Sequence, residues 1–396
     1  MSNAIKEIMR GCDELIGKEA LEARLKSSKP LIVKLGLDPT AADIHLGHTV
    51  VINKLRLFQQ LGHQVVFLIG DFTAKIGDPS GRNAMREVLT DEQIKANAET
   101  YATQVFKILD PKKTTIAYNS TWMKDKSAQE ILELSALQTV ARMLERDDFE
   151  KRYKSGQPIG IHEFIYPLLQ GYDSVALKAD IELGGKDQKF NLLMGRELQK
   201  HWNMPAQAVL MMPLLVGLDG VKKMSKSAKN YIGVSDSPQD MFGKMMSVPD
   251  ELLWHYYELL SFEPLEVIEQ YREAVRGGAN PRDIKVKLAM EIVERFHSKS
   301  DADMAYNDFV KRFVKRGVPD DLELQQLETQ EGVLSIAYIL KGAKLVASTS
   351  EAIRMIKQGA VRIDGEQVLD TKLQMKQESC HVYQVGRRKA AKICLK

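Results

Sequence analysis

Apolar and polar positions alternate with two different periods along this 396-residue chain. Between 3 and 27 the apolar residues Ile5, Ile8, Met9, Leu15, Ala20 and Leu21 recur at helical spacing until Lys29-Pro30 stops them. Residues 31–37 then read as a buried strand, Val50, Val51, Leu55, Leu57 and Phe58 as a helix ending at Gly62, and 64–69 as a second apolar strand. A strand, a helix and a strand in that order build a parallel sheet. The spacing further predicts helices over 91–109, 128–154 and 161–173, a strand over 181–183, a helix over 191–200 and an apolar strand over 208–215. Beyond Tyr231 the alternation ends, and amphipathic helices follow over 237–248, 250–261, 264–276, 283–298 and 302–314. Arg316-Gly317-Val318-Pro319 opens an acidic, glutamine-containing stretch with the character of a linker. Past it, 334–340 reads as a helix, Ser348-Thr349-Ser350-Glu351 caps another over 352–358, and 359–366 forms a strand and tight turn.

These elements imply an α/β domain with a doubly wound, Rossmann-like parallel sheet at 1–232, carrying a helical insertion near 120–160. An all-helical domain at 233–315, a linker at 316–331 and a small α+β domain at 332–396 complete the organisation. With 44% apolar and 28% charged residues the chain has material for sizeable cores. Its longest apolar run, Val65-Val66-Phe67-Leu68-Ile69, suits a strand and is too short for a membrane span. The N-terminus alternates charge with apolar residues and lacks a signal-peptide pattern, so the expected location is cytoplasmic. Cys12, Cys380 and Cys394 form no zinc spacing, and the expectation is packed thiols with neither disulfide nor protein-bound metal. Net charge is +3, but 331–396 alone carry +6 and leave −3 for the rest. A basic terminal module suggests a polyanionic partner, although a solvated charged surface accounts for it equally well.

Three loops carry candidate chemistry. His45-Leu46-Gly47-His48 falls at a predicted helix N-terminus, where free backbone N–H groups and the helix dipole favour anions and the imidazoles add donors. Taken alone, it is also compatible with a plain helix cap or with half of an H-x-x-H metal site. Gly184-Gly185-Lys186-Asp187-Gln188 makes a glycine turn between a strand and a helix, open to a ribose or phosphate. Lys222-Lys223-Met224-Ser225-Lys226-Ser227 follows a Gly217-Leu218-Asp219-Gly220 turn; its lysines offer charge to a phosphate-bearing ligand, or form an ordinary surface loop. Neither G-x-x-x-x-G-K-[ST] nor G-x-G-x-x-G occurs, which removes support for kinase and dehydrogenase chemistry. Displacement at an α-phosphate needs positioning and charge neutralisation, and a carboxylate nucleophile needs no general base.

H-x-G-H and a full K-M-S-K-S, in this order and at domain-scale separation, resemble the paired signatures of class I aminoacyl-tRNA synthetases. Gly36-Leu37-Asp38-Pro39-Thr40-Ala41, Ile76-Gly77-Asp78-Pro79-Ser80, Tyr166-Pro167-Leu168-Leu169-Gln170-Gly171-Tyr172-Asp173 and Gly184-Gly185-Lys186-Asp187-Gln188 extend the match. The stretch from Leu35 to Tyr231 thereby resembles the bacterial tyrosyl-tRNA synthetases, in the branch with an intact K-M-S-K-S. The resemblance implies activation of L-tyrosine by Mg-ATP, the Mg2+ carried by the nucleotide, followed by transfer to tRNA(Tyr). Catalysis would rest on His45, His48, Lys223 and Lys226. ATP would meet Asp38, Thr40, His45, Gly47, His48, Gly185, Asp187 and Lys223 through Ser227, including Met224 and Ser225. The phenol would face Asp173, the ammonium group Tyr166, Gln170 and Asp78, and Gln188 would also face the substrate. Tyr166, Gln170 and Asp173 stand at i, i+4 and i+7, one helical face that can read one small ligand.

Lys34 stands where many of these enzymes place a second phenol-binding tyrosine, and Leu35 and Lys186 also depart from the family pattern. The helices after Tyr231 resemble the family's anticodon-recognising domain, and the tail resembles an S4-type RNA-binding fold that would present Lys344, Arg354, Lys357 and Arg362 to RNA. A homodimer is implied, with the 120–160 insertion as the candidate contact surface. A tryptophan enzyme, a small-molecule adenylyltransferase and an RNA-binding regulator built on an inactive synthetase remain as alternatives. Asp173, the extra domains and the intact histidines and lysines speak respectively against them.

Overall fold

The computed structural model describes residues 2–27, 29–79, 89–315, 324–329, 332–377, 379–386 and 389–396. The chain divides into two compact units, Met1–Ala302 and Asp303–Lys396. In the first, six strands lie in one sheet: β1 (Glu14–Ile16), β2 (Ile32–Leu37), β3 (Gln64–Ile69), β4 (Thr114–Tyr118), β5 (Ile181–Gly185) and β6 (Ala208–Met212). Their order is β1-β6-β5-β2-β3-β4, with only β1 antiparallel to its neighbour. The central strands are largely buried, as apolar runs such as Val65 to Ile69 and Ala208 to Met212 require. Because β3 and β4 grow away from β2 on one side and β5 and β6 on the other, the strand order reverses between β2 and β5. Ligands of open α/β sheets bind at that reversal, beyond the carboxyl ends of the strands.

The doubly wound sheet follows the sequence reading, and several element boundaries do not. The stretch 3–27 is two helices, Ser2–Met9 and Lys18–Leu25, separated by β1. Gly11 and Gly17, with φ of 61° and 80°, interrupt the helical spacing on either side. The stretch 128–154 is three short helices, Ala128–Ser135, Val140–Met143 and Asp147–Lys154; Ser127 and Thr139 cap the first two by accepting N–H bonds. β4 passed unread because its residues are largely polar or half-exposed, as an edge strand allows. β6 stops at Met212, since Pro213 cannot donate to a ladder. The helices of the later part run Pro238–Ser247, Leu253–Leu260, Leu265–Arg276, Pro281–Phe296 and Lys299–Lys315.

In the second unit five strands are ordered β10-β9-β12-β13-β7, and β11 pairs with β8 separately. They are β7 (Leu324–Leu327), β8 (Val333–Ser335), β9 (Val361–Ile363), β10 (Glu366–Gln367), β11 (Gln374–Lys376), β12 (Cys380–Val385) and β13 (Lys389–Leu395). Helices Ile336–Gly342 and Thr349–Lys357 pack Ile339, Leu340 and Ile356 against Val361, Tyr383 and Ile393. Two expectations change here. β7 lies inside the stretch read as a linker and pairs in parallel with β13, while 316–323, including Arg316-Gly317-Val318-Pro319, and 330–331 lie outside the described residues. Cys380 and Cys394, read as separate thiols, are joined by a disulfide. Fourteen residues apart in sequence, they face each other across the β12–β13 hairpin with Cα atoms 4.1 Å apart, a juxtaposition that only the strand register reveals.

Candidate functional site

At the reversal point lies a cavity of about 510 Å³, walled by the ends of β2 and β5, the starts of two helices, and the lysine-rich loop. Its first wall is the N-terminus of helix Leu46–Gln60. His45 caps that helix: its Nδ1 accepts from the Gly47 N–H at 3.1 Å, and its own backbone N–H donates to His48 Nδ1 at 3.2 Å. Both Nδ1 atoms are therefore acceptors, which places the proton of each neutral ring on Nε2. Burial, the neighbouring imidazole and Lys226 push His45 down to about 2; burial and then Lys226 push His48 down to about 4. The pair thus presents two uncharged N–H donors. Gly47 is obligatory for this arrangement, since a Cβ there would stand 2.9 Å from His45 Cε1.

The floor is polar and saturated with hydrogen bonds. Asp38, at the end of β2, accepts from Thr73 Oγ1 at 2.7 Å and from the Tyr166 hydroxyl at 3.0 Å. Tyr166, Gln170 and Asp173 project from one face of helix Ile161–Ala176 into the cavity, as their spacing predicts. Asp173 accepts from Trp122 Nε1 at 2.9 Å and Asn119 Nδ2 at 3.4 Å. Burial raises it to about 7, opposed by the nearby Lys34 cation and by these donors. Asn191 donates to Gln170 Oε1 at 3.0 Å and to Asp78 Oδ1 at 3.3 Å, and Gln188 donates to Asp78 Oδ2 at 3.4 Å.

The lysine-rich loop closes the opposite side. Asn230 holds it: the side-chain oxygen accepts from Ser225 N–H at 2.8 Å, and the amide donates to Asp219 at 3.0 Å and to the carbonyls of Lys222 and Lys223. Met224 is buried beneath the loop, and its N–H donates to Leu215 O at 2.7 Å. Lys223 reaches across to Asp187 at 3.0 Å. Lys226 does not line the cavity but lies near enough to the histidines to disfavour their protonation.

His45, His48, Asp38, Thr40, Gly47, Gly185, Asp187, Lys223, Met224, Ser225, Ser227, Asp78, Tyr166, Gln170, Asp173 and Gln188 accordingly meet in one cavity. Ser80 lies outside the described residues. Lys344, Arg354, Lys357 and Arg362 belong to the other unit, where all four are exposed on helix Thr349–Lys357, β9 and the turn before the helix. The sequence reading missed Thr73, Asn119, Trp122 and Asn191. Asn119 and Trp122 follow the unread β4, and position just past a strand's carboxyl end is the signal that would have found them.

A cavity at the sheet reversal, with a helix N-terminus on one wall and a lysine loop on the other, defines a nucleotide-activating α/β enzyme. The chain belongs to the tRNA synthetases class I (W and Y): that family's model matches residues 26–314. It is similar to the tyrosine–tRNA ligase of Shewanella oneidensis, with 60% identity over 395 residues, covering 100% of this chain and 99% of that one. A second relative, tyrosine–tRNA ligase 2 of Vibrio parahaemolyticus, is 61% identical over 393 residues, covering 99% and 98% respectively. Among solved structures, a C-terminally truncated mitochondrial tyrosyl-tRNA synthetase of Coccidioides posadasii is similar at 25% identity and a TM-score of 0.65, covering 77% of this chain and 90% of that one. Among the described residues no helix is long and apolar enough to cross a membrane.

Proposed function

We propose that the chain is a tyrosine–tRNA ligase, which condenses L-tyrosine with ATP to tyrosyl-adenylate and pyrophosphate and passes the tyrosyl group to the 3′-terminal adenosine of tRNA(Tyr). The observation that carries this reading is the placement of Asp173 at the floor of the cavity that also holds the histidine pair and the lysine loop. A carboxylate buried there accepts a hydrogen bond from a phenol, and phenylalanine leaves that further acceptor position without a donor. Such a site rejects the analogue lacking the hydroxyl by about 10⁴-fold or more, a rule for which tyrosine-activating enzymes are themselves the known illustration.

In this reading the Nε2–H groups of His45 and His48 bind phosphate and ribose oxygens. Being uncharged, they leave the cationic work to Lys223 and Lys226, which stabilise the departing pyrophosphate of Mg-ATP. Asp38 and Thr40 lie beside the α-phosphate, Gly185 lets the nucleotide approach, and Asp187 faces the ribose once Lys223 swings to the phosphates. Tyr166, Gln170 and Asp78 take the ammonium group, with Gln188 beside them. No group on the protein needs to remove a proton, because the attacking carboxylate is already ionised.

The second unit serves as an S4-like RNA-binding module acting through Lys344, Arg354, Lys357 and Arg362. The insertion forms the contact of a homodimer: Leu132 and Tyr153 are 70% and 68% exposed there. The enzyme acts in the cytoplasm, where its product enters translation. ATP–pyrophosphate exchange measured with each of the twenty amino acids tests the assignment; exchange with tyrosine alone is expected, and its absence would sink the reading.

A further inference from the structure

Lys34 is the largest charged side chain in the wall of the cavity to be wholly shielded from solvent, at 0% exposure. It sits on β2 directly opposite Glu182 of β5, its register partner across the strand reversal. The Lys34 Nζ meets Glu182 Oε1 at 3.0 Å, donates to Ser174 Oγ at 2.8 Å and lies 3.4 Å from the Gln170 carbonyl. Glu182 is equally occupied. Its Oε1 also accepts from Gln170 Nε2 at 3.3 Å, and its Oε2 accepts from Ser174 Oγ at 2.9 Å and from Gln207 Nε2. The pair therefore clamps Gln170, on the substrate face of helix Ile161–Ala176, by its side chain, and Ser174 next to Asp173.

A buried ion pair contributes little to stability over an apolar pair of similar volume. Neither Lys34 nor Glu182 touches substrate in the proposed reaction, so their use lies elsewhere. We propose that the Lys34–Glu182 pair is a positioning element of the tyrosine site: its cation, bonded to Ser174 beside Asp173, favours the Asp173 carboxylate that accepts the phenol's hydrogen bond, and its carboxylate fixes the Gln170 amide. The inference rests on the reading of Asp173 as the phenol acceptor.

The charges around Asp173 support the assignment. Lys34 from β2 is the strongest influence favouring the carboxylate, ahead of the Trp122 and Asn119 donors that follow β4, and Glu182 from β5 opposes it. On its own helix Asp173 is accompanied by Tyr166, which also faces Asp38 and Asp78 and is held firmly protonated by its burial and by these three carboxylates. Among the described residues that act on Asp173, Lys34 supplies the cation, and its removal leaves carboxylates and neutral donors there.

The test is the tyrosine dissociation constant, measured by equilibrium dialysis from pH 6 to 9, with ATP affinity and thermal melting as controls. In the unaltered protein tyrosine binding is expected to weaken as pH falls through about 7, by up to tenfold per unit. Lys34→Met is expected to move that limb upward by a unit or more and to weaken binding at pH 7 at least fivefold, with ATP affinity within twofold. Lys34→Arg keeps the cation and is expected to keep the limb. Because Lys34→Met strands a buried carboxylate, the double variant Lys34→Met/Glu182→Gln provides a second arm with no unpaired charge; its limb is expected to move the same way by less. Phenylalanine, lacking the hydroxyl, is expected to bind weakly with no such limb.

A tyrosine profile unchanged in every folded variant that lacks Lys34 overturns the proposal, while exchange activity with tyrosine leaves the parent function standing. An unaltered protein that neither binds nor activates tyrosine overturns both.

Discussion

His45 and His48 each spend Nδ1 on a backbone N–H, which fixes their tautomer and direction, while burial keeps them uncharged. It also makes them acid-labile elements of the fold. Unfolded imidazoles take up protons near pH 6.5, whereas in the folded chain uptake is pushed down to about 4 for His48 and about 2 for His45. The stability they confer is thus complete above pH 6.5 and is lost as pH falls toward 4, by up to about 1.4 kcal/mol per histidine per pH unit. The urea midpoint is expected to drop between pH 7 and 5, and to drop less in His48→Asn. Gly47→Ala should act without any charge change, since its Cβ displaces the His45 ring. Steady-state exchange is expected to show kcat/KM for ATP reduced about 10–100-fold, the cost of a small misplacement, with tyrosine affinity unchanged. At this scale the sequence was most legible where residue types sit in contiguous strings, as in His45 to His48. It was least legible where a partner arrives from elsewhere: Asn119 is marked only by its place after β4, which the sequence reading did not see, and nothing in its neighbours marks Glu182 as the counter-ion of Lys34.

Among elements, the lysine loop is held by a single anchoring side chain. Asn230 ties together Asp219, Lys222, Lys223 and Ser225, so that a single side chain keeps the loop shaped while Lys223 rests on Asp187. Asn230→Ala is expected to slow exchange about tenfold or more and to expose 218–229 to limited proteolysis, with tyrosine binding intact; a loop that stays protease-resistant would contradict the anchoring role. The helices and central strands of the first unit were readable because their burial is one-sided or complete. Errors gathered where burial is shallow, at edge strand β4, or where glycine overrides periodicity, at Gly11 and Gly17 around β1. β7 and the Cys380–Cys394 bond stayed hidden for a related reason, since both depend on strand register, between distant strands for β7 and across the β12–β13 hairpin for the cysteines.

The whole molecule separates activation chemistry from the basic second unit, and the two should be separable by experiment. A chain ended after Lys315 keeps every cavity residue and is expected to exchange pyrophosphate at near-normal rate while charging tRNA at least tenfold more slowly. In the full chain, removing Lys344, Arg354, Lys357 and Arg362 together is expected to flatten the dependence of log tRNA affinity on log salt by about 3 units, near 0.7–0.9 for each phosphate that no longer meets a cation. Filter binding across a salt series reads this directly. The sheet adds a demand on the timing of synthesis. β1 emerges from the ribosome among the first residues, yet its strand partner among the described residues, β6, pairs Glu14 with Met211. At roughly 5–20 residues per second, the N-terminal strand waits on the order of 10–40 seconds for that partner, while β2, β3 and β4 can already associate. The last strand to join the sheet is therefore the first to be made, and a chain interrupted before Ala208 leaves the β5 edge open to pairing with another copy.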